Sequence, residues 1–190
     1  MVSLRYFELL PYKFNLEQLQ AEVTSLLEKI PLPAENQISL VYRDNYEENC
    51  WMDGISTPFK FDKNRIPLKD NNGNTIRRYK EEEFRHINKE IEKTEIANVY
   101  NILGKNFNVT RYRIAVLTPK SCYGWHTDEE VRLHIPIFTT PGSFLITDDG
   151  IASHLPADGQ CYLFRANNSH HTAINSDYSR NRIHLLINVI

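Results

Sequence analysis

No stretch of this 190-residue chain is apolar for long enough to span a bilayer. The short apolar run at the amino terminus is broken by Arg5 and Glu8, so it lacks the uninterrupted core of a secretory signal. Cysteine is scarce: the three present, Cys50, Cys122 and Cys161, stand at no metal-binding spacing, and their odd number argues against a disulfide framework. A reducing cytoplasm is therefore the expected compartment, and the sequons at Asn108 and Asn167 are read as chance matches. Excess charge of either sign is missing too. A formal net charge of −2 gives no general attraction to nucleic acid, and the basic group Arg77-Arg78-Tyr79-Lys80 runs directly into Glu81-Glu82-Glu83. Nucleic acid is not an expected partner, and there is neither an internal repeat nor a low-complexity segment.

What is present is ordinary for a globular protein, with 41% hydrophobic and 24% charged residues. The length suits one domain, 1–190, with a sizeable core. Asn15 followed by Gln18 three residues on marks a helix start, and Leu16, Leu19, Val23, Leu26, Leu27 and Ile30 form an apolar stripe that ends at Pro31 and Pro33. Residues 38–43 read as a strand. Residues 66–78 bracket Asp70-Asn-Asn-Gly-Asn74, a turn signal suited to a hairpin or loop. A second helical pattern over 80–103 carries Phe84, Ile87, Ile91, Ile96, Val99 and Leu103 and stops at Gly104. From Asn108 the character changes: strand-like segments at 108–118, 132–139, 143–147, 160–165, 170–175 and 182–189 alternate with Pro-Gly and Asp-Gly turns. The fold class expected is mainly β with flanking helices, a jelly-roll barrel.

Chemistry concentrates in this second half. His126 and Asp128 are two apart, so on an extended backbone both side chains face one way. With a third ligand from a later segment they would form a 2-His-1-carboxylate set, which leaves open positions on Fe(II) for a bidentate cosubstrate and dioxygen. His171 is the expected third ligand; its neighbour His170 is the rival, because adjacent residues of a strand face opposite sides. A cosubstrate such as 2-oxoglutarate needs a partner for its distal carboxylate, and the planar fork of Arg182 fits that need. His184 alternates in phase with Arg182 and lines either cavity or core, as does His134. His86 and His154 read as helix-surface and loop residues.

The run Arg113-Ile-Ala-Val-Leu-Thr-Pro119, then His126-x-Asp128, Arg132-Leu-His134-Ile-Pro-Ile137, His171-x-x-x-Asn175 and Arg182-x-His184-Leu185 resembles the aspartyl/asparaginyl β-hydroxylase family, to which small bacterial proline cis-hydroxylases are similar. The match covers roughly 107–190, and the first half carries no such match. The resemblance implies a double-stranded β-helix and dependence on Fe(II), 2-oxoglutarate and dioxygen. It further implies iron ligation by His126, Asp128 and His171, a clamp on the cosubstrate at Arg182, and further polar contacts from Arg132 and His134. Residues 107–190 are then the motif-bearing barrel core with 1–106 packed on it; the first 106 residues and the loops at 44–66 are expected to shape the substrate mouth, because loops on a rigid scaffold usually carry specificity, and Tyr46, Trp51, Tyr123 and Trp125 are candidates to line it.

The expected reaction is hydroxylation of an unactivated C–H bond of an amino acid, free and proline-like or an Asp/Asn residue in a peptide or protein, with release of succinate and carbon dioxide. Two other classes share the barrel. A cupin-like isomerase or epimerase would consume no dioxygen and need no Arg182. A non-catalytic ligand-binding barrel has no reason to keep three ligands and the arginine together.

Overall fold

The computed structural model describes residues 5–44, 46 and 49–190; residues 1–4 of the amino-terminal run, and positions 45, 47 and 48 of the loop expected to shape the mouth, lie outside the described residues. In chain order the strands are β1 (Phe7–Lys13), β2 (Gln37–Ser39), β3 (Val41–Arg43), β4 (Phe84–Ile87), β5 (Val109–Leu117) and β6 (Ser121–Cys122). There follow β7 (Val131–Phe138), β8 (Ser143–Thr147), β9 (Ala152–Ser153), β10 (Gln160–Phe164), β11 (His171–Asn175) and β12 (Arg182–Val189). Two α-helices, α1 (Leu16–Lys29) and α2 (Glu95–Leu103), precede the strand-rich half.

Six strands form the larger sheet, in the order β1-β10-β7-β12-β5-β2, and four form the smaller, β6-β11-β8-β9. Side chains alternate across a strand, so the large sheet has two distinct faces. One is apolar: Ile38, Tyr112, Ile114, Val116, Leu133, Ile135, Cys161, Ile183, Leu185 and Ile187 share a single core with Leu19, Val23 and Leu26 of α1 and Ile96, Val99 and Leu103 of α2. The other face turns towards the small sheet. There a second cluster joins Leu117 and Phe164 to Leu145 of β8 and Ala173 of β11, with Phe7 stacked on Phe164 at 4.4 Å. The jelly-roll expectation holds.

A proline interrupts the centre of the large sheet, and the ladder adjusts to it. Pro136 has no N–H to donate, and the β12–β7 register slips there, from Ile183 opposite Phe138 to His184 opposite Pro136. The carbonyl of the extra residue, Ile137, accepts a hydrogen bond from Gln20 Nε2 of α1 at 2.9 Å.

The helix expected over 80–103 is a correction. Only Glu95–Leu103 is α-helical; Phe84–Ile87 is strand β4, paired antiparallel with β3, and single helical turns occupy Glu81–Glu83 and Lys89–Ile91. The cause is local: Asn88 caps one turn and Thr94 accepts from Ala97 N at 3.3 Å to start α2, so the backbone restarts twice. Phe84, Ile91, Ile96, Val99 and Leu103 are all buried as the stripe requires, but from three elements rather than one helix face. His86 is accordingly exposed on a strand, paired with Asp44, and not on a helix. Residues 38–43 also divide. Leu40 bonds across to Tyr112 and Asn88, so β2 joins the large sheet while β3 pairs with β4. Strand β1 was not apparent in the sequence, since Pro11 argues against a strand; it lies at the sheet edge, where a missing donor costs little. The turn expected within 66–78 is present, with Asp70 Oδ1 accepting from the N–H groups of Asn72 and Asn74, and the fold-back extends to a bridge between Phe59 and Arg77.

The two helices cap one another. Asn15 accepts from Gln18 N at 3.2 Å, but the reciprocal bond expected from Gln18 comes instead from α2, where Glu95 Oε1 accepts from Asn15 N at 3.2 Å. Glu22 of α1 in turn accepts from the N–H groups of Glu95 and Ile96 at 2.9 and 3.0 Å, placing a carboxylate at the positive end of α2. Glu22→Ala should therefore lower stability by ~1–2 kcal/mol, read as a shift in urea midpoint at constant slope, with Glu22→Gln losing less. No shift in Glu22→Ala would show that solvent caps α2 equally well.

Candidate active site

His126 and Asp128 do not lie on a regular strand, and their convergence has a different cause from simple alternation. His126 makes a single antiparallel bridge with His171, through His126 N to His171 O at 3.0 Å and His171 N to His126 O at 2.8 Å. Asp128 is tied one step further on by its N–H to Ala166 O at 3.2 Å. The two imidazoles sit 4.4 Å apart between ring centres, and one potential ligand atom from each of His126, Asp128 and His171 lies within 4.8 Å of the others.

Both rings are oriented alike. His126 Nδ1 faces Gly124 O at 2.8 Å and His171 Nδ1 faces Ser169 O at 2.9 Å, an arrangement that assigns the proton to Nδ1 and leaves each Nε2 lone pair free. Both Nε2 atoms point at Asp128, at 3.8 Å from Oδ1 and 3.5 Å from Oδ2. Arg132 donates to Asp128 Oδ1, whereas the buried Oδ2 has no hydrogen bond of good geometry. Burial pushes the Asp128 carboxyl up, but His171, Arg132 and His126 together outweigh it and hold it below the usual carboxylate range. Burial also lowers His126, which favours the neutral imidazole a metal requires.

The three groups open on a cavity of about 540 Å³ between the sheets. Its floor is the polar face of the large sheet, where paired strands set side chains in rows: Arg182 of β12 opposite Leu117, then His184 opposite Ala115, then Leu186 opposite Arg113, with His134 of β7 in that third row. Arg182 is 5% exposed, lines the cavity and has no carboxylate partner among the described residues; its Nη2 lies 3.2 Å from His184 Nδ1. Burial lowers it to about 10, still cationic at neutral pH. Arg132 and His134 line the same cavity, and Tyr123 and Trp125 stand at its wall.

Other candidates lie elsewhere. His170 is exposed, stacked with Trp125 at 5.6 Å and turned away from the cluster. Trp51 is core, and Tyr46 lies against Arg43 outside the cavity. Asn175 is fully buried but structural, donating to Leu117 O and Arg180 O at 2.9 Å. His154 sits beyond β9 with Nδ1 at 2.9 Å from Ser143 O. Sequence reasoning assigned no role to Arg111, Arg113, Gln37 or Glu130, all of which line the cavity. The signal was the alternation Arg111-x-Arg113 at the head of an otherwise apolar strand, which places both on one face.

His134 and His184 are buried against each other, Nδ1 to Nδ1 at 3.2 Å. Burial and the nearby Arg182 charge push both well below 6.5. The unfolded chain takes up these protons near pH 6.5 and the folded chain does not, so stability present above that pH is lost as pH falls. Each group should forfeit ~1.4 kcal/mol one pH unit below 6.5. Denaturant midpoints at pH 7.5 and 5.5 check this: the loss should be smaller in His134→Gln than in the wild type, and an equal loss would contradict a neutral buried pair.

Comparison with known proteins agrees with this geometry. The sequence model described as aspartyl/asparaginyl beta-hydroxylase matches residues 13–190, extending through α1 and well beyond the motif-bearing half. None of the curated proteins matches the chain. Among solved structures, a 2OG-Fe(II) oxygenase family oxidoreductase from Burkholderia pseudomallei is similar, with TM-score 0.56 and 13% identity over 98% of this chain and 84% of that one. So are a viral collagen prolyl hydroxylase from Paramecium Bursaria Chlorella virus-1 (TM-score 0.51, 11% identity, 97% and 89% covered) and a Pseudomonas putida prolyl-4-hydroxylase (0.50, 10%, 97% and 91%). At such identities these structures establish the fold alone. With the family match over nearly its whole length, the chain belongs to the aspartyl/asparaginyl β-hydroxylase family, enzymes that use Fe(II), 2-oxoglutarate and dioxygen.

Proposed function

We propose that His126, Asp128 and His171 hold Fe(II), that Arg182 binds the distal carboxylate of 2-oxoglutarate, and that the enzyme hydroxylates a C–H bond of an amino acid, free or within a peptide. The observation that carries the reading is the donor set: one potential ligand atom from each of His126, Asp128 and His171 lies within 4.8 Å of the others, and the buried Asp128 Oδ2 has no hydrogen bond of good geometry. Neutral imidazoles with one carboxylate suit Fe(II), and the absence of thiolate from the cluster speaks against structural zinc. When bound, Fe(II) with 2-oxoglutarate and dioxygen supplies the oxidant for hydroxylation, with succinate and carbon dioxide as co-products.

The side chains around this cluster do the positioning. Gly124 O and Ser169 O fix the two imidazole planes, and Arg132 holds Asp128 Oδ1 so that Oδ2 faces His171. Arg132 is thereby engaged with the carboxylate, which favours an orienting role over the direct cosubstrate contact first expected. Arg182 Nη2 and His134 Nδ1 both meet His184 Nδ1 at 3.2 Å, and by accepting from the guanidinium His184 aims it along the floor. A buried guanidinium without a carboxylate partner is costly unless an anion joins it, and that favours the oxygenase reading over an isomerase, which has no use for a second carboxylate.

Arg182→Ala should leave iron content near wild type while weakening 2-oxoglutarate at least tenfold, since losing a charge-assisted pair costs ~2–5 kcal/mol. Arg182→Lys should recover only part, because one ammonium cannot reproduce the fork. In parallel, His126→Ala, Asp128→Ala and His171→Ala should each lose iron and turnover, while His170→Ala keeps its iron. Metal analysis with cosubstrate titration decides it. Retention of iron by His171→Ala with loss in His170→Ala would move the third ligand by one residue, and an unchanged cosubstrate affinity in Arg182→Ala would remove the clamp.

A further inference from the structure

Residues 56–80, which precede β4, have no part in the reading above. Seven of the chain's 22 Lys and Arg residues but only two of its 24 Asp and Glu residues fall within them, so this segment carries a net charge of +5 and the rest of the chain −7. The segment is a built arm. Lys60 N–H donates to Ile76 O at 2.9 Å, Ile76 N–H to Leu68 O at 2.8 Å and Leu68 N–H to Lys60 O at 2.9 Å, a closed ring of backbone bonds. Both of its acids are used in turns: Asp62 Oδ1 accepts from the N–H groups of Asn64 and Ile66, and Asp70 Oδ1 from those of Asn72 and Asn74. All seven cations are exposed, and among the described residues only Arg77 has a carboxylate partner, Glu129 at 2.6 Å. The acidic run that follows in the sequence does not neutralise the others, because Glu81 turns inward to Arg111 at 2.7 Å and Glu83 reaches Arg43 at 3.6 Å. The arm also holds two apolar side chains in solvent, Ile66 at 59% and Leu68 at 39% exposure.

The base of the arm belongs to the active-site mouth. Ser56, Thr57, Pro58 and Phe59 line the cavity, and the Arg77–Glu129 pair joins the arm to the segment that carries His126 and Asp128. Lys60, Lys63, Arg65 and Lys69 form no part of the cavity wall. A free amino acid enclosed in about 540 Å³ between the sheets therefore does not meet these four cations; only a ligand that continues out of the cavity can. Clustered like charges raise the local concentration of a ligand of opposite sign, and they act together over a screening length of about 8 Å at physiological salt.

We propose that the arm is a docking surface for an acidic stretch of a polypeptide, and that the substrate is a residue within that polypeptide rather than a free amino acid. This deepens the oxygenase reading and rests on it. A peptide is favoured over a polynucleotide by the arm's composition and surroundings. Base stacking needs exposed aromatic rings, and the arm's Phe59, Phe61 and Tyr79 are half-buried or buried. A phosphate chain running on past the arm would meet a molecule of net charge −7, whereas a peptide can confine its acids to one stretch and set aliphatic side chains against Ile66 and Leu68.

Binding to the full chain, loaded with Zn(II) and 2-oxoglutarate, tests the docking without turnover. The probes are a labelled peptide in which Asp and Glu alternate with Leu and Val, the same peptide with Asn and Gln in place of the acids, a single-stranded RNA of equal length, and phosphatidylserine vesicles. The acidic peptide should bind at least tenfold tighter than its amide counterpart at low salt, and the difference should shrink as salt rises. Joint reversal of the arm by Lys60→Glu, Lys63→Glu, Arg65→Glu and Lys69→Glu should abolish the preference while 2-oxoglutarate affinity stays within twofold of wild type. An equal reversal at Lys13, Lys29, Lys93 and Lys105, in or beside α1 and α2, should retain it. Should the arm variant fail to fold, judged by its thermal midpoint, the acid-to-amide comparison in wild type and the milder pair Lys63→Gln and Arg65→Gln still decide. A second readout is mass spectrometry of a randomised peptide library, free of Met and Cys, after incubation with enzyme, Fe(II), 2-oxoglutarate and dioxygen. Peptides that gain one oxygen should be enriched in Asp and Glu near the modified residue. Amides binding as well as acids, RNA or vesicles binding tighter than the acidic peptide, an undiminished preference in a folded arm variant, or a library with no hydroxylated member each overturn the proposal. Failure of the protein to bind 2-oxoglutarate would instead strike at the oxygenase reading itself.

Discussion

The reciprocal backbone hydrogen bonds between His126 and His171 are the constraint on which the site depends. They join a loop to strand β11 at one residue pair, and every later feature of the cluster follows from that pairing. Antiparallel partners face the same way, so the imidazoles meet. The carbonyls of Gly124 and Ser169, each two residues before its histidine, then turn both Nδ1 atoms away and both Nε2 atoms inward. Asp128 arrives two residues later, held by Ala166 O and Arg132. The same geometry excludes His170, which the strand directs outward against Trp125.

The large sheet supplies what this pairing cannot, a rigid floor with opposite characters on its two sides. Its apolar side is sealed by α1 and α2, which are locked together by Glu22 and Glu95. Its cavity side concentrates Arg111, Arg113, Arg132 and Arg182 in a space of about 540 Å³. Burying four guanidiniums so close together is tolerable only with counter-ions. Protein carboxylates serve two of them, Arg111 and Arg132, whereas Arg113 and Arg182 have none among the described residues. Neutral His134 and His184 let polar groups line the floor without adding further positive charge.

Much of this was legible in the sequence because the second half obeys local rules. The strands over 143–147 and 182–189 are found at the expected positions, the remaining strands shift by a residue or two, and the spacing of His126, Asp128 and His171 carried enough information to bring them together. The first half was less transparent. An apolar period through 84–103 imitates one helix, yet Asn88 and Thr94 divide it; nothing in the spacing reveals that β3 offers Phe84–Ile87 a partner. Pro11 hid β1, because its tolerance depends on an edge position that only the assembled sheet defines. Arg113 was legible as a motif residue but not as an unpaired cation, since its isolation depends on where Glu81 and Glu130 direct their carboxylates.

The most direct test of the account is an anaerobic titration of 2-oxoglutarate into Fe(II)-loaded protein, followed in the visible spectrum. Bidentate chelation at adjacent open positions should produce a weak charge-transfer band that saturates at one equivalent. Iron demonstrably bound with no band on addition of 2-oxoglutarate would contradict the assignment of the His126, Asp128 and His171 cluster to an oxygenase centre.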